Sequence, residues 1–249
     1  MAEHVGIEPT HPLLNDRLAI CCLNWSANAP CFLFTKYFTM KKIFSQYLDL
    51  PKLELKWPKG DPENVLFAYY TPHDRELQQH DGTYIGVVSY VRWQAADEYV
   101  NWFYNIVPEL KGHVNQIGWQ YHLNLQNHPN GVQHTPHTDG PRGQHVIQFL
   151  LDAGGPSPIT KWYQEPGHPI ERLPKYGSST TEETAKLVKN YLNLIELESI
   201  QFEVNRWSMM RADILHSVYP VMTTRESFTV GFSNQELYEY IGEKYGVKE

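Results

Sequence analysis

Residues 119–126 read Trp-Gln-Tyr-His-Leu-Asn-Leu-Gln, a strict alternation of apolar and polar side chains. Successive side chains of a β-strand point to opposite faces, so this stretch has one apolar and one polar face. Such a strand is typical of an antiparallel sheet whose polar face meets water or the lumen of a site. The pattern therefore predicts a strand over residues 115–126 in which Gln120, His122 and Asn124 share the polar side.

Short strands are predicted on both sides of this stretch, and helices are few. Predicted strands cover part of 40–57, then 65–70, 84–91, 145–151, 159–163, 200–204, 209–218 and 227–233. Helices are predicted over 95–107, 181–194 and 235–245. Because the strands do not alternate with helices, a parallel α/β fold is disfavoured. The sequence predicts a mainly β fold with flanking helices (α+β), arranged as a double-sheet jelly roll or barrel.

The first 39 residues differ in composition and hydrophobic pattern from the rest of the 249-residue chain. They contain all three cysteines, Cys21, Cys22 and Cys31, and show no sustained period of a strand or helix. We expect residues 1–39 to be a poorly structured leader that is not part of the native protein. Residues 40–249 are predicted to form one jelly-roll domain with a loop-helix insertion at about 164–195.

The composition of the chain argues against two classes of partner and favours one cellular compartment. The net charge of −7 argues against a general nucleic-acid partner, because such a protein needs a basic surface to neutralise phosphates. The sequence contains no apolar run of the length that crosses a bilayer, so no membrane partner is predicted. The chain after residue 39 has no cysteine, which is typical of a protein of the reducing cytoplasm.

A second stretch carries candidate metal ligands. Residues 134–141 read His-Thr-Pro-His-Thr-Asp-Gly-Pro, centred on the pair His137 and Asp139. Residues two apart on an extended chain point the same way, so the imidazole and the carboxylate can meet at one point. His216 offers a third ligand, and two histidines with one carboxylate suit non-haem Fe(II) with open positions. The alternative is a loop histidine that only hydrogen-bonds to Asp139.

Arg225 and Ser227, which begin nine residues after His216, form a candidate carboxylate-binding pair. They are two apart in a predicted strand, so both face one way, whereas Phe228 and Val230 face the core. A planar guanidinium grips a carboxylate at two points, and the serine hydroxyl adds a neutral donor. The alternative for the arginine is a surface salt bridge to a nearby glutamate.

Together these residues resemble the pattern of the Fe(II)/2-oxoglutarate-dependent oxygenases, over roughly residues 118–236. Gly131, His134, His137 and Asp139 also resemble the prolyl-hydroxylase-like branch of that family. The resemblance implies a double-stranded β-helix, a cupin-like jelly roll. It implies that iron is bound by the metal triad His137, Asp139 and His216. It further implies that Arg225, with Ser227, binds the C5 carboxylate of 2-oxoglutarate.

Two further residues are candidates for cofactor binding because they lie just upstream of the metal motif: Asn124 and His134. Tyr121 and Asn124 have opposite parity in a regular strand, so only one can face the lumen without a bulge, and polarity favours Asn124. The family's prolyl hydroxylases often carry Lys where this chain has Arg225, so prolyl hydroxylation is not implied. A second arginine of the nucleic-acid dealkylating members is also lacking.

The resemblance implies an oxidoreductase that uses Fe(II), 2-oxoglutarate and O2, with ascorbate in a supporting role. Such a dioxygenase would hydroxylate a small molecule or a protein side chain and release succinate and CO2. Two alternatives stay open: a non-catalytic jelly-roll protein that binds a metal or small acid, and a cupin-type metal-dependent isomerase or hydrolase. The substrate, a small molecule or peptide, and the oligomeric state are not specified by the sequence.

Overall fold

The structure is a computed structural model that describes most of the predicted jelly-roll domain. The described residues are 44–61, 63, 65–69, 77–78, 84–85, 89–124, 129, 131–140, 143–164, 172–174, 186–188 and 194–248. Among these, only the backbone is described for 65–69, 77–78, 84–85, 89–90, 132–135, 172–174 and 186–188. The predicted leader, residues 1–39, lies outside the described residues.

The described chain consists of fifteen strands, two α-helices and one short 3-10 helix. The first strands are β1 (Ser45–Leu48), β2 (Val65–Tyr69), β3 (Leu77–Gln78), β4 (Tyr84–Ile85), β5 (Ser89–Gln94), β6 (Val114–Leu123), β7 (Val132–His137) and β8 (His145–Ala153). They are followed by β9 (Ile159–Gln164), β10 (Arg172–Pro174), β11 (Lys186–Val188), β12 (Ile195–Ile200), β13 (Trp207–Arg211), β14 (His216–Val221) and β15 (Arg225–Phe232). The helices are α1 (Asp97–Ile106), α2 (Gln235–Tyr245) and the 3-10 helix Pro108–Leu110.

Two antiparallel sheets form the body of the domain. The seven-stranded sheet has the order β1-β13-β8-β15-β6-β5-β2, and the six-stranded sheet has the order β10-β11-β7-β14-β9-β12. Val146 and Met210 of the first sheet pack in one buried cluster with Trp162 of the second, so the sheets face each other. Several neighbouring strands, such as β8 with β15 and β7 with β14, come from distant parts of the chain, as in a jelly roll. The predicted mainly β, cupin-like jelly-roll fold is confirmed.

The seven-stranded sheet has an apolar outer face and a polar inner face. Phe228 of β15 is fully buried among aromatic rings that include Tyr99 and Phe103 of α1. Its neighbours in sequence, Ser227 and Thr229, are also buried but belong to the opposite face. The predicted alternation along this strand is therefore confirmed, and the main core lies under α1 rather than between the sheets.

The two α-helices form where the sequence predicts them. Helix α1 has Asp97 and Glu98 in its first turn, where the helix dipole favours negative charge, and buries Tyr99 and Phe103. Helix α2 has the predicted bounds of residues 235–245, and the Asn234 side chain caps it by accepting a hydrogen bond from the Leu237 N–H.

One predicted helix is wrong where it can be compared with the structure. Residues Lys186–Val188, inside the helix predicted over 181–194, form strand β11, which pairs with β10 and with β7. The helical spacing of apolar residues is a weak preference that sheet pairing overrides here. The rest of that prediction, 181–185 and 189–193, lies outside the described residues.

Three predicted strands also have different bounds. The strand predicted at 200–204 is β12 at Ile195–Ile200, where it pairs with β9. The single strand predicted over 209–218 is two strands, β13 and β14, which belong to different sheets. At the corner between them, the N–H groups of Ala212 and Asp213 both donate to the Gln144 carbonyl, which bends the chain. The strand predicted over 84–91 is β4 and the start of β5, which lie in different sheets.

Candidate metal centre

His137 and His216 are brought together by strand pairing in the six-stranded sheet. His137 ends β7, His216 begins β14, and the two residues are direct partners in the antiparallel register. Their ring centroids are 4.4 Å apart, and only 2% and 5% of their surfaces are exposed. Directly paired side chains of an antiparallel ladder lie on the same face, so both imidazoles point into the space between the sheets.

Asp139 completes a three-residue cluster with these histidines. It lies two residues beyond the end of β7, and its backbone N–H donates to the Ala212 carbonyl at 2.7 Å, which holds the turn against the β13–β14 corner. An Asp139 oxygen, Oδ1, lies 3.5 Å from His137 Nε2. One nitrogen of each histidine and one Asp139 oxygen all lie within 4.8 Å of one another. Three donors this close can contact one metal ion.

A hydrogen bond at one ring nitrogen of His216 leaves the other ring nitrogen available to a metal ion. His216 Nδ1 lies 2.8 Å from the backbone carbonyl oxygen of Ile214. A carbonyl only accepts, so Nδ1 carries the proton and the lone pair is on Nε2. Metal-binding histidines in proteins are commonly oriented by such a bond from the other ring nitrogen. Two imidazoles and a carboxylate thus fit a divalent transition metal, and the residues present fit Fe(II) as predicted.

Arg225 is buried inside the same cavity. It is 4% exposed, and no hydrogen bond or ion pair joins its guanidinium to another described residue. Burial lowers the pKa of Arg225 to about 10, with Asp152 acting in the opposite direction, so the group stays charged at neutral pH. A buried guanidinium without a partner is costly, and an anion would relieve that cost.

The predicted alternative for Arg225, a surface salt bridge, is wrong. The Glu226 carboxylate instead accepts from Lys59 and from the Tyr121 hydroxyl on the outer face of the sheet. Glu203 pairs with Arg206. Gly154 allows the close approach of β15, because its φ is +80° and a Cβ there would lie 2.8 Å from the Arg225 Cβ.

The three candidate metal ligands and Arg225 line one cavity between the sheets, of about 50 Å³. Its described lining is Arg92, Gln120, His122, His137, Asp139, Val146, Gln148, Thr160, Met210, Ala212, His216, Val218 and Arg225. This volume holds only a few water molecules, so a larger ligand requires lining side chains to move. Gln148 adds a buried donor, since its Nε2 has no hydrogen-bond partner among the described residues.

Gln120 and His122, which the strand parity predicts on the polar face of β6 together with Asn124, both line the cavity. Three other polar lining residues, Arg92, Gln148 and Thr160, were not singled out from the sequence. Arg92 lies one residue beyond the end of the predicted strand 84–91. For that reason, the side of the sheet to which its side chain points was not predicted.

The remaining predicted site residues lie apart from the described lining. Ser227 is buried on the same face as Arg225 but does not line the cavity. Asn124 is buried, and its Nδ2 donates to the Met222 carbonyl at 3.1 Å, which ties the end of β6 to the β14–β15 turn. The His134 side chain lies outside the described residues. Tyr121 faces outward, as the strand parity predicted.

A larger cleft of about 670 Å³ lies elsewhere, beside β1 and the end of α2. It exposes basic side chains such as Lys52 and Lys248 and contains none of the metal-ligand cluster. The smaller cavity is the candidate functional site because it contains the three candidate metal ligands and two buried arginines.

The known proteins that are similar to this chain are remote from it. No protein-family model matches the chain, and a search of curated proteins found no match. Among solved structures, the X-ray structure of E. coli ycfD is 13% identical with a TM-score of 0.33, over 66% of this chain and 42% of that chain. The non-heme alpha ketoglutarate dependent epimerase SnoN from nogalamycin biosynthesis is 13% identical with a TM-score of 0.35, over 65% of this chain and 68% of that chain.

The fold and the site together define a class: a cupin-like jelly roll with a His-Asp-His cluster in which both histidines are buried and Asp139 is partly exposed. Among the described residues, no helix has both the length and the apolar character needed to span a membrane.

Proposed function

We propose that this protein is an Fe(II)- and 2-oxoglutarate-dependent dioxygenase that hydroxylates a small molecule or a protein side chain. The observation that carries the proposal is the conjunction of the metal triad with the buried Arg225 in one cavity. A metal triad alone would serve many reactions. A guanidinium with no described partner, at the other end of the same lumen, requires an anion as well.

His137, Asp139 and His216 would hold the ion, with the Ile214 carbonyl fixing the His216 ring. When bound, Fe(II) would supply the activation of O2 that couples oxidation of a substrate C–H bond to decarboxylation of 2-oxoglutarate. One oxygen atom enters the substrate as a hydroxyl, and the other enters succinate, with CO2 released. Ascorbate would support turnover by keeping the iron reduced.

Arg225 would bind the distal carboxylate of 2-oxoglutarate. Arg225 begins β15, directly after the turn that follows β14, whereas His216 lies at the opposite end of β14. A dicarboxylate could then extend from the metal to the guanidinium. The burial of Arg225, which lowers its pKa, also strengthens the ion pair that a carboxylate would form.

The non-catalytic binding protein and the cupin-type isomerase or hydrolase use the same metal ligands but do not need 2-oxoglutarate. The test is aerobic incubation of the protein with Fe(II), ascorbate and 2-oxoglutarate, with a metabolite extract as the source of substrate. We expect succinate and a product 16 mass units heavier than its substrate, both lost in Asp139→Ala. Equal succinate from the wild type and the variant would contradict the proposal.

The cytoplasmic location and the absence of a nucleic-acid partner remain predictions from composition.

Identification of the hydroxylated product in this test would decide between a small-molecule and a peptide substrate.

A further inference from the structure

We infer that Gln148 binds the cosubstrate as well, by donating a hydrogen bond from its Nε2 to an oxygen atom of 2-oxoglutarate. The inference rests on the proposed function, because it adds a second binding residue to the cosubstrate site that contains Arg225.

Gln148 is a polar side chain within an apolar row of strand β8. Val146 and Leu150, two residues before and after it, share its face of the strand and belong to a buried apolar cluster. Gln148 itself is only 5% exposed, and it lines the cavity that contains the metal triad. The inner face of the sheet thus carries an amide at a position where an aliphatic side chain would pack without a polar group to satisfy.

The neighbouring strands do not satisfy this amide. Gln148 pairs with Ser208 of β13 on one side and with Thr229 of β15 on the other. The Thr229 hydroxyl donates to the Gly118 carbonyl at 3.4 Å. Within the described part of the chain, neither the Gln148 Nε2 nor the Ser208 hydroxyl has a hydrogen-bond partner. A buried donor without a partner is costly, so an acceptor on a ligand would relieve that cost.

The small size of the cavity determines which ligand meets this amide. Gln148, the metal triad and Arg225 all line a space of about 50 Å³. Such a space holds only a few water molecules, so a dicarboxylate that contacts both the metal and Arg225 must fill it and press against its walls. A ligand that spans the metal and Arg225 therefore contacts the Gln148 side chain as well.

The chemistry of an amide donor also suits this ligand. Ionised 2-oxoglutarate has oxygen acceptors but no N–H or O–H donor of its own. A hydrogen bond to a charged oxygen is stronger than one between neutral groups. Gln148 can supply this bond without the cost of burying a second cation beside Arg225.

The first measurement is calorimetric titration of 2-oxoglutarate into the full chain loaded with Mn(II), which replaces iron and prevents turnover. Gln148→Met removes the donor but keeps an unbranched side chain of similar length. We expect it to bind 2-oxoglutarate about 10–100-fold more weakly than the wild type. The matched control is Ser208→Ala, which removes a buried hydroxyl from the paired residue on β13. Ser208 does not line the cavity, so its variant should bind like the wild type.

The second measurement is thermal unfolding of the same variants before metal and 2-oxoglutarate are added. Gln148→Met replaces an unpaired buried amide with an apolar side chain, so its Tm should equal or exceed that of the wild type. A residue with a purely structural role would instead lose stability together with affinity. A lower affinity at an undiminished Tm is therefore the result expected of a binding residue.

Three outcomes would overturn the inference while the proposed function stands. The first is wild-type affinity for 2-oxoglutarate in Gln148→Met, which would leave water or the substrate as the partner of the amide. The second is a fall of several degrees in the Tm of Gln148→Met, which would indicate a structural role. The third is an equal loss of affinity in Ser208→Ala, which would indicate a general disturbance of the sheet. If the wild type binds Mn(II) but not 2-oxoglutarate, the proposed function fails together with the inference.

Discussion

His137 and His216 face each other directly across strands β7 and β14, although they are far apart in sequence. This pairing fixes the distance between the two imidazoles through the backbone ladder rather than through a flexible loop. Asp139 is the only one of the three metal-binding candidates that lies outside a strand, and a backbone hydrogen bond to Ala212 restrains it. The site is therefore largely preorganised by the fold, so its metal affinity should depend sharply on each ligand.

Asp139→Ala should reduce Fe(II) affinity by more than about 100-fold, because loss of an outer partner of a ligand alone costs about 10–100-fold. The two imidazoles that remain would bind the ion weakly. Anaerobic titration calorimetry with Fe(II) measures the change. Asp97→Ala, at an exposed position in α1, is the control and should bind iron like the wild type. Unchanged affinity in Asp139→Ala would remove this residue from the metal site.

Arg225→Gln should leave Fe(II) affinity unchanged but raise the 2-oxoglutarate concentration needed for half-maximal succinate formation by at least about 30-fold. That factor corresponds to about 2 kcal/mol, the lower range for truncating one partner of a buried charge pair. Arg206→Gln, on the surface, should have the wild-type requirement. A variant that turned over normally at low 2-oxoglutarate would refute the assignment.

The same Arg225→Gln substitution should not destabilise the protein in the absence of 2-oxoglutarate. The guanidinium has no described hydrogen-bond partner and its burial is costly, so a shorter, neutral polar side chain relieves that cost. Thermal unfolding should give a Tm equal to or above that of the wild type. A fall of several degrees would mean that Arg225 contributes to the fold rather than to ligand binding.

His145 should make the folded state less stable in acid. It is buried against Phe232 and Tyr238, and burial lowers its pKa below the ordinary value of 6.5. The unfolded chain therefore binds this proton more readily, so the stabilisation is complete above pH 6.5 and declines as the pH falls below it. Urea unfolding at pH 7.5 and 5.5 should show a smaller loss of stability in His145→Phe than in the wild type. Equal losses would exclude this residue as a source of the acid sensitivity.

Phe228→Ala should reduce the free energy of unfolding by about 3–5 kcal/mol, since it removes a fully buried ring from the outer-face core. The ring packs against Trp119 and Trp207 as well as against helix α1. Phe228→Leu, which keeps most of the volume, should lose less. Urea denaturation measures both, and a change below about 1 kcal/mol in the alanine variant would contradict the assignment of the main core to this face.

The alternation of side chains is the part of the fold that the sequence could predict. Parity along β6 and β15 identified the apolar outer face and the polar inner face, because burial on one side only leaves a period of two. The bounds of α2 were also predicted, since an asparagine cap and an apolar stripe mark them locally. These features depend on neighbours in the sequence.

Features that depend on distant pairing could not be predicted in the same way. Residues 186–188 have the spacing of a helix, but they form a strand because β7 and β10 offer hydrogen-bonding partners. Arg92 was missed for a related reason: only the pairing of β5 with β6 shows that it shares a face with Gln120. The corner at 212–215, which carries the chain from one sheet to the other, likewise arises from contacts with the turn before β8.

Binding of 2-oxoglutarate by the metal cluster and Arg225 together can be observed in the visible absorption spectrum of the protein with Fe(II), recorded without oxygen as 2-oxoglutarate is added. We expect a metal-to-ligand charge-transfer band that saturates in the wild type, requires a much higher 2-oxoglutarate concentration in Arg225→Gln, and is absent in Asp139→Ala. If a wild-type protein that demonstrably binds Fe(II) gave no band, the metal cluster and Arg225 would not form a 2-oxoglutarate site.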